Sequence, residues 1–336
     1  MESKPLHNRH PLRDSYNRRI DYLRVSVTDR CNLKCLYCAP RKKLRHFSSD
    51  AIMTDDEIVR FIRIAYAHGL KKVRITGGEP LLRENITGLI ASIKDAGIHD
   101  LSLTTNGTML PEMALDLKKA GLDRVNISLD TMNAERYREI TRGGDINRVW
   151  QAIRASEDAG LTPVKINVVP IKGLNDDEIL AFASMTFEHN FHIRFIEFMP
   201  AVDDGSWSED KYIKSADILE KVSSLGKAEP FSFRGKGPSR NYRISGAKGV
   251  IGIISPLSDH FCKFCNRLRL TSTGTIRPCL FSPKEIDIKT PMRNGATDKE
   301  IEMLFSHAIH IKPMRHFIHE KGPSSHSIQS MSKIGG

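Results

Sequence analysis

The stretch DYLRVSVTDRCNLKCLYC, residues 21–38, decides how the whole chain is read. Its first seven residues alternate apolar and polar, the period of a strand with one face toward a core. The strand then runs into a loop with Cys31, Cys35 and Cys38, three thiols close enough to share one ion or cluster. Working outward, the same rhythm recurs. TDDEIVRFIRIAYAHG opens with a Thr54–Glu57 capping box, carries apolar residues at helical spacing and stops at Gly69. KKVRIT (71–76), DLSLTT (100–105), DRVNISL (123–129), PVKINVV (163–169) and HIRFIEFM (192–199) read as further strands, with helical segments between them. Six strand–helix units imply a parallel sheet with right-handed crossovers.

A doubly wound sheet and a partial (β/α)6 barrel both suit such a series. No G-x-G-x-x-G follows the first strand and no Walker A sequence occurs. Polar residues instead gather near the end of every strand: the cysteine loop, TGGEP (76–80), TTNG (104–107), SLD (128–130), Lys165 with Asn167, and EFMP (197–200). A barrel brings such ends to one mouth, where active sites sit. The expected fold is therefore α/β, a partial TIM-like barrel over residues 16–209. A basic extension covers 1–15, and a C-terminal α+β region over 210–336 carries a late helix capped by Thr297 and Glu300.

The chain has 336 residues, 40% of them apolar and 27% charged, with a net charge of +11. No apolar run approaches a membrane span, and the polar N-terminus lacks the apolar core of a signal peptide. A cytoplasmic location without a membrane partner is expected. The positive balance favours anionic partners, yet no block of like charges marks a nucleic-acid tail. The six cysteines fall into two triads, the second being Cys262, Cys265 and Cys279. Disulfides would leave one thiol over in each triad, so metal or cluster ligation is the better reading. For the second triad, spacing alone admits a structural zinc with His260 as readily as an iron–sulfur cluster. Arg267 and Arg269, at i and i+2, share one face of a hairpin strand and suit an anionic or nucleobase ligand, a solvated face being the alternative.

CNLKCLYC followed by TGGEP resembles the radical S-adenosylmethionine (SAM) superfamily. The second triad, the NRLRLTSTG segment and the terminal Gly335–Gly336 narrow the resemblance to the GTP 3′,8-cyclases. The resemblance implies two [4Fe–4S] clusters, one on Cys31, Cys35 and Cys38 with an iron left open to SAM, the other on Cys262, Cys265 and Cys279. It implies SAM contacts from Tyr37, Gly78, Ser128 and Met199; Glu79, read from TGGEP itself, can hold a turn or an ammonium group. It assigns GTP to Arg24, Arg74, Thr104, Lys165, Arg267 and Arg269, with Arg194 a further candidate, and sends the Gly335–Gly336 tail into the active site. A low-potential electron donor and a downstream cyclic pyranopterin monophosphate synthase are the partners it implies, with no nucleic acid. Monomer and homodimer stay equally open. The rival readings are a radical enzyme acting on peptide or RNA and a zinc-dependent nucleic-acid binder.

Overall fold

The computed structural model describes residues 12–38, 46–200, 206–232, 237–316 and 331–335. Strands β1 (Tyr22–Ser26), β2 (Lys72–Thr76), β3 (Asp100–Thr105), β4 (Arg124–Ser128), β5 (Lys165–Val168) and β6 (His192–Ile196) lie side by side in chain order, each parallel to the next. Helices α1 (Asp55–Ala67), α2 (Ile86–Asp95), α3 (Leu110–Lys119), α4 (Ala134–Thr141), α5 (Ile146–Asp158) and α6 (Ile179–Glu188) intervene. The expected capping box is formed at α1, where Thr54 and Glu57 satisfy each other's backbone N–H groups.

Beyond residue 210 come α7 (Ser215–Ser223), β7 (Ala228–Pro230), β8 (Ser239–Ile244), β9 (Val250–Ile254), β10 (Arg267–Leu270), β11 (Thr275–Arg277), β12 (Ile286–Asp287), α8 (Lys289–Arg293) and α9 (Asp298–His310). These strands join the barrel's own sheet. β9 runs parallel beside β6, and β10 runs parallel beside β1, so the sheet reads β12-β11-β10-β1-β2-β3-β4-β5-β6-β9-β8-β7. β9 and β10 thus flank the open side of the barrel. The chain between them, residues 255–266, descends from the C-terminal end of one strand to the N-terminal start of the other. It carries Cys262 and Cys265.

The strand alternation divides the molecule by polarity. Leu23, Val25, Val73, Ile75, Leu101, Leu103, Val125, Ile127, Ile166, Ile193 and Phe195 are buried in the core beneath the helices. Their neighbours in sequence point into the barrel, and nearly all are polar. The usual barrel interior is a packed apolar core; this one is a polar lumen. α9 closes onto α1 through an edge-to-face pair, Phe61 and Phe305, with ring centroids 5.5 Å apart. No helix among the described residues is long and apolar enough to cross a membrane.

Candidate active site

All six thiols line one cavity of about 630 Å³ that runs along the barrel lumen. Strand direction places the triads at opposite ends. Cys31, Cys35 and Cys38 follow the C-terminal end of β1. Cys262 and Cys265 precede the start of β10, which is parallel to β1, and Cys279 follows β11, which is antiparallel to β10. No three His, Cys, Asp or Glu side chains among the described residues converge tightly enough to hold a single metal ion.

The first triad owes its place to backbone contacts. Lys34 N donates to Thr141 O at 3.1 Å and Leu36 N to Ile140 O at 2.9 Å, tying the loop to the end of α4. Gly78 N donates to Thr28 O and Glu79 N to Arg30 O, both at 2.7 Å. A Cβ on Gly78 would stand 2.2 Å from Arg30 O, and one on Gly77 would stand 2.7 Å from Thr28 O. The two glycines of TGGEP thus let the cysteine loop approach the second strand, a chain-to-chain contact, while both still face the cavity. Glu79 serves the turn. Its carboxylate accepts from Thr105 Oγ1 and Asn106 N at 2.7 Å and from Leu81 N at 3.1 Å, it is fully buried, and it does not line the cavity. Burial pushes it up to about 7 against those hydrogen bonds.

Burial also raises all three thiols of this triad, Cys38 to about 12 with Cys31 and Asp130 adding to the shift. No cation stands among the causes, so loading a metal here must displace protons. Tyr37 Oη donates to Asp130 Oδ2 at 2.6 Å, and Val169 N donates to the other carboxylate oxygen at 2.8 Å. Tyr37, Gly78, Ser128 and Met199 face the same cavity as these thiols. Asn106 Nδ2 lies 3.9 Å from Cys31 Sγ.

In the second triad burial raises the Cys262 thiol as well, but Cys265 moves the other way. Burial pushes the Cys265 thiol up, but the Lys312 ammonium and the Arg267 guanidinium outweigh it and bring it down to about 6. Lys312 is 3% exposed and donates to Arg267 O at 2.8 Å and Pro278 O at 2.6 Å, clamping both ends of the triad's hairpin. Arg18 secures the other side, donating to Cys262 O at 2.7 Å and Pro313 O at 2.7 Å. His260 faces the cavity, and its ring meets His316 edge-on at 5.4 Å.

Between the triads the lumen is a ladder of basic side chains. Arg269, Arg24 and Arg74 stand level on adjacent strands, as do Lys165 and His192. Burial lowers the Lys165 amine to about 6, and Arg194, Arg124 and Arg74 push it the same way. Arg24 Nε, Arg194 Nε, Thr104 Oγ1 and Asn167 Oδ1 are buried without a hydrogen-bond partner among the described residues. Buried polar atoms are rarely left so, and these face a cavity able to take a polar anion. Arg267 is partly exposed with its guanidinium 4.7 Å over the Phe261 ring, whereas Arg269 is buried and donates to Gly335 O. The tail thus reaches the lumen: a Cβ on Gly335, at φ +77°, would stand 2.3 Å from Thr76 Oγ1. Met331 and Ile334 anchor it in a small apolar cluster with Leu257 and Phe281, against which Cys38, Met199 and Cys279 pack. Gly336 lies outside the described residues.

Every other residue singled out from the sequence, Glu79 apart, is thus found at this cavity. Sequence reasoning missed Arg18, Arg124, Asp130, Lys312 and the buried Glu197. Asp130 stood in the SLD segment, and Arg124 had a signal in its place on the inward face of β4. Arg18 and Lys312 had none, because their partners are distant backbone carbonyls.

A three-thiol loop after the first strand of a partial barrel defines the radical SAM class, and the family model described as "Radical SAM superfamily" matches residues 25–186. A second, "Molybdenum Cofactor Synthesis C", matches residues 191–318. The chain is 46% identical over 328 residues to the GTP 3′,8-cyclase of Pelotomaculum thermopropionicum, covering 97% of this chain and all of that one. The GTP 3′,8-cyclase of Moorella thermoacetica is also 46% identical, over 327 residues and the same shares. This chain belongs to the GTP 3′,8-cyclase family. Among solved structures, Streptococcus suis SuiB bound to its precursor peptide SuiA shares the fold with a TM-score of 0.62 at 16% identity, over 89% of this chain and 67% of that one. The AdoMet-bound anSMEcpe shares it at 0.53 and 16%, over 83% and 81%.

Proposed function

We propose that this chain is the enzyme that converts GTP to (8S)-3′,8-cyclo-7,8-dihydro-GTP, the first step of molybdenum cofactor biosynthesis. The observation that carries the reading is a single cation-lined lumen with a thiol triad at each end. SAM and [4Fe–4S] clusters are its cofactors. Cys31, Cys35 and Cys38 would hold the cluster that works with SAM, and Cys262, Cys265 and Cys279 the second. When bound, the reduced cluster and SAM would supply a 5′-deoxyadenosyl radical able to take the ribose H3′; closing C3′ onto C8 of guanine would then need one further electron, from the reductant, and one proton to give the 7,8-dihydro product.

The chain's own residues do the rest. Tyr37, Gly78, Ser128 and Met199 would seat SAM beside the first triad. Arg267, next to the second triad, would hold the guanine end, and Arg24, Arg74, Thr104, Lys165 and Arg194 the triphosphate, with Arg269 between. A triphosphate brings about four negative charges, which offset the cations' mutual repulsion. The strand walls exclude water and keep C3′ facing the first triad. The Gly335–Gly336 tail would line this space, with Gly335 O on Arg269.

A low-potential reductant and a separate synthase that consumes the product complete the reading, in the cytoplasm. The test is anaerobic incubation of the reconstituted protein with SAM, reductant and GTP. Formation of 5′-deoxyadenosine together with the cyclised nucleotide is expected; 5′-deoxyadenosine with unchanged GTP would overturn the substrate.

A further inference from the structure

Three cations gather at the second triad, and they differ in what balances them. Arg18 is buried and has its own carboxylate, its Nε donating to Asp14 Oδ2 at 2.6 Å. Arg267 is partly exposed, with its guanidinium over the Phe261 ring. Lys312 has neither arrangement. It is buried, it lines the same cavity as the thiols, and it pairs with no carboxylate among the described ion pairs. Its Nζ donates to Arg267 O at 2.8 Å, just past Cys265, and to Pro278 O at 2.6 Å, just before Cys279. Neutral carbonyls orient an ammonium without cancelling its charge. Buried charges in folded proteins are paired, so the counter-charge belongs to what the cavity holds. The triad is the acid at hand: the ammonium works against burial to lower the thiols of both Cys262 and Cys265.

We propose that Lys312 is the charge partner of the cluster on Cys262, Cys265 and Cys279, and that it raises that cluster's reduction potential. The inference rests on the reading of this triad as a cluster site. Cluster potentials follow net charge, hydrogen bonding and solvent exposure. Reduction adds a negative charge to a group already held by three thiolates, and a fixed ammonium beside it in a buried site favours the reduced state. None of the shifts at the first triad has a cation among its causes. One side chain thus tunes the two clusters apart. Lys312 acts on the second in two ways, as a clamp through the carbonyls and as a charge through space, and the two can be separated.

The test is an anaerobic redox titration of the reconstituted full chain, followed by electron paramagnetic resonance with and without SAM. The couple whose signal ignores SAM belongs to the second cluster. Lys312→Gln keeps an N–H donor for the carbonyls and removes the charge; Lys312→Arg keeps the charge. In Lys312→Gln the SAM-insensitive couple should shift about tenfold toward the oxidised cluster, a fall of about 59 mV for one electron. The SAM-sensitive couple should not move, and Lys312→Arg should stay within about twofold of the parent. An unchanged SAM-insensitive couple in Lys312→Gln, or equal shifts in both couples, would overturn the inference. Where Lys312→Gln holds only about four irons, recovery of about eight in Lys312→Arg would support the charge. Loss of the second cluster in both variants would overturn it and leave Lys312 a clamp on the hairpin. A parent with about four irons and only a SAM-sensitive couple would instead sink the cluster reading of the second triad, and the charge partner with it.

Discussion

Lys165 shows how a buried cation among cations behaves. Its amine titrates at about 6 while an unfolded lysine titrates near 10.5. Between those values the unfolded chain holds a proton that the folded chain lacks, so raising pH through this window stabilises the nucleotide-free fold. An arriving triphosphate reverses the balance and draws the proton back. GTP binding at pH 8 should therefore take up a proton, visible as a binding enthalpy that depends on the buffer's ionisation heat, and affinity should rise as pH falls toward 6. Lys165→Met should abolish the uptake; an uptake that survives it would place the proton elsewhere. The two arginines of the hairpin separate in the same spirit. Arg267 is partly exposed, so Arg267→Ala should leave the melting temperature nearly unchanged. Losing a charge-assisted contact costs about 1.5–3 kcal/mol, so GTP binding should weaken about tenfold or more. Unchanged GTP affinity would return Arg267 to a solvated strand face. Arg269 is buried on the tail's carbonyl, so its replacement would confound binding with stability.

At the scale of elements, the strands' alternation made most of the barrel legible: one face apolar, one polar, six times. The edges were not legible. GVIGIIS and NRLRLT lie in the region expected as a separate C-terminal α+β unit, because nothing local announces that they pair with HIRFI and YLRVS across long stretches of chain. The joint that makes this possible is Glu197. Its Oε1 accepts from Ser215 N at 3.0 Å and from the hydroxyls of Ser215 and Ser258, and its Oε2 from Leu257 N at 2.9 Å and Ser258 N at 3.1 Å. One carboxylate thus pins the end of β6, the start of α7 and the loop that leads to Cys262. A buried acceptor set this dense is costly to remove, since each orphaned donor loses its partner. Glu197→Ala should release the loop, so that reconstitution falls from about eight irons per chain toward about four. Retention of both clusters with normal spectra would show that the loop is held without it.

Across the whole molecule, the triads divide the labour. Cys31→Ala, Cys35→Ala or Cys38→Ala should abolish 5′-deoxyadenosine formation, whereas Cys262→Ala or Cys265→Ala should allow uncoupled SAM cleavage but lose the cyclised product. Product from both sets would refute the division. The cysteines themselves were plain in the sequence. What spacing left open was whether the two triads stood together or apart, because 220-odd residues separate them and only strand direction, a property of the assembled sheet, answers the question.

Thiols at the two ends of a tube are approached from two faces. All six cysteines are of intermediate exposure. If the two ends load independently, maturation should have no obligatory order, and a chain loaded at either end alone should be isolable during reconstitution. Such a chain would carry the spectrum of one cluster and the thiol reactivity of the other triad, a signature by which the two routes of biogenesis can be told apart.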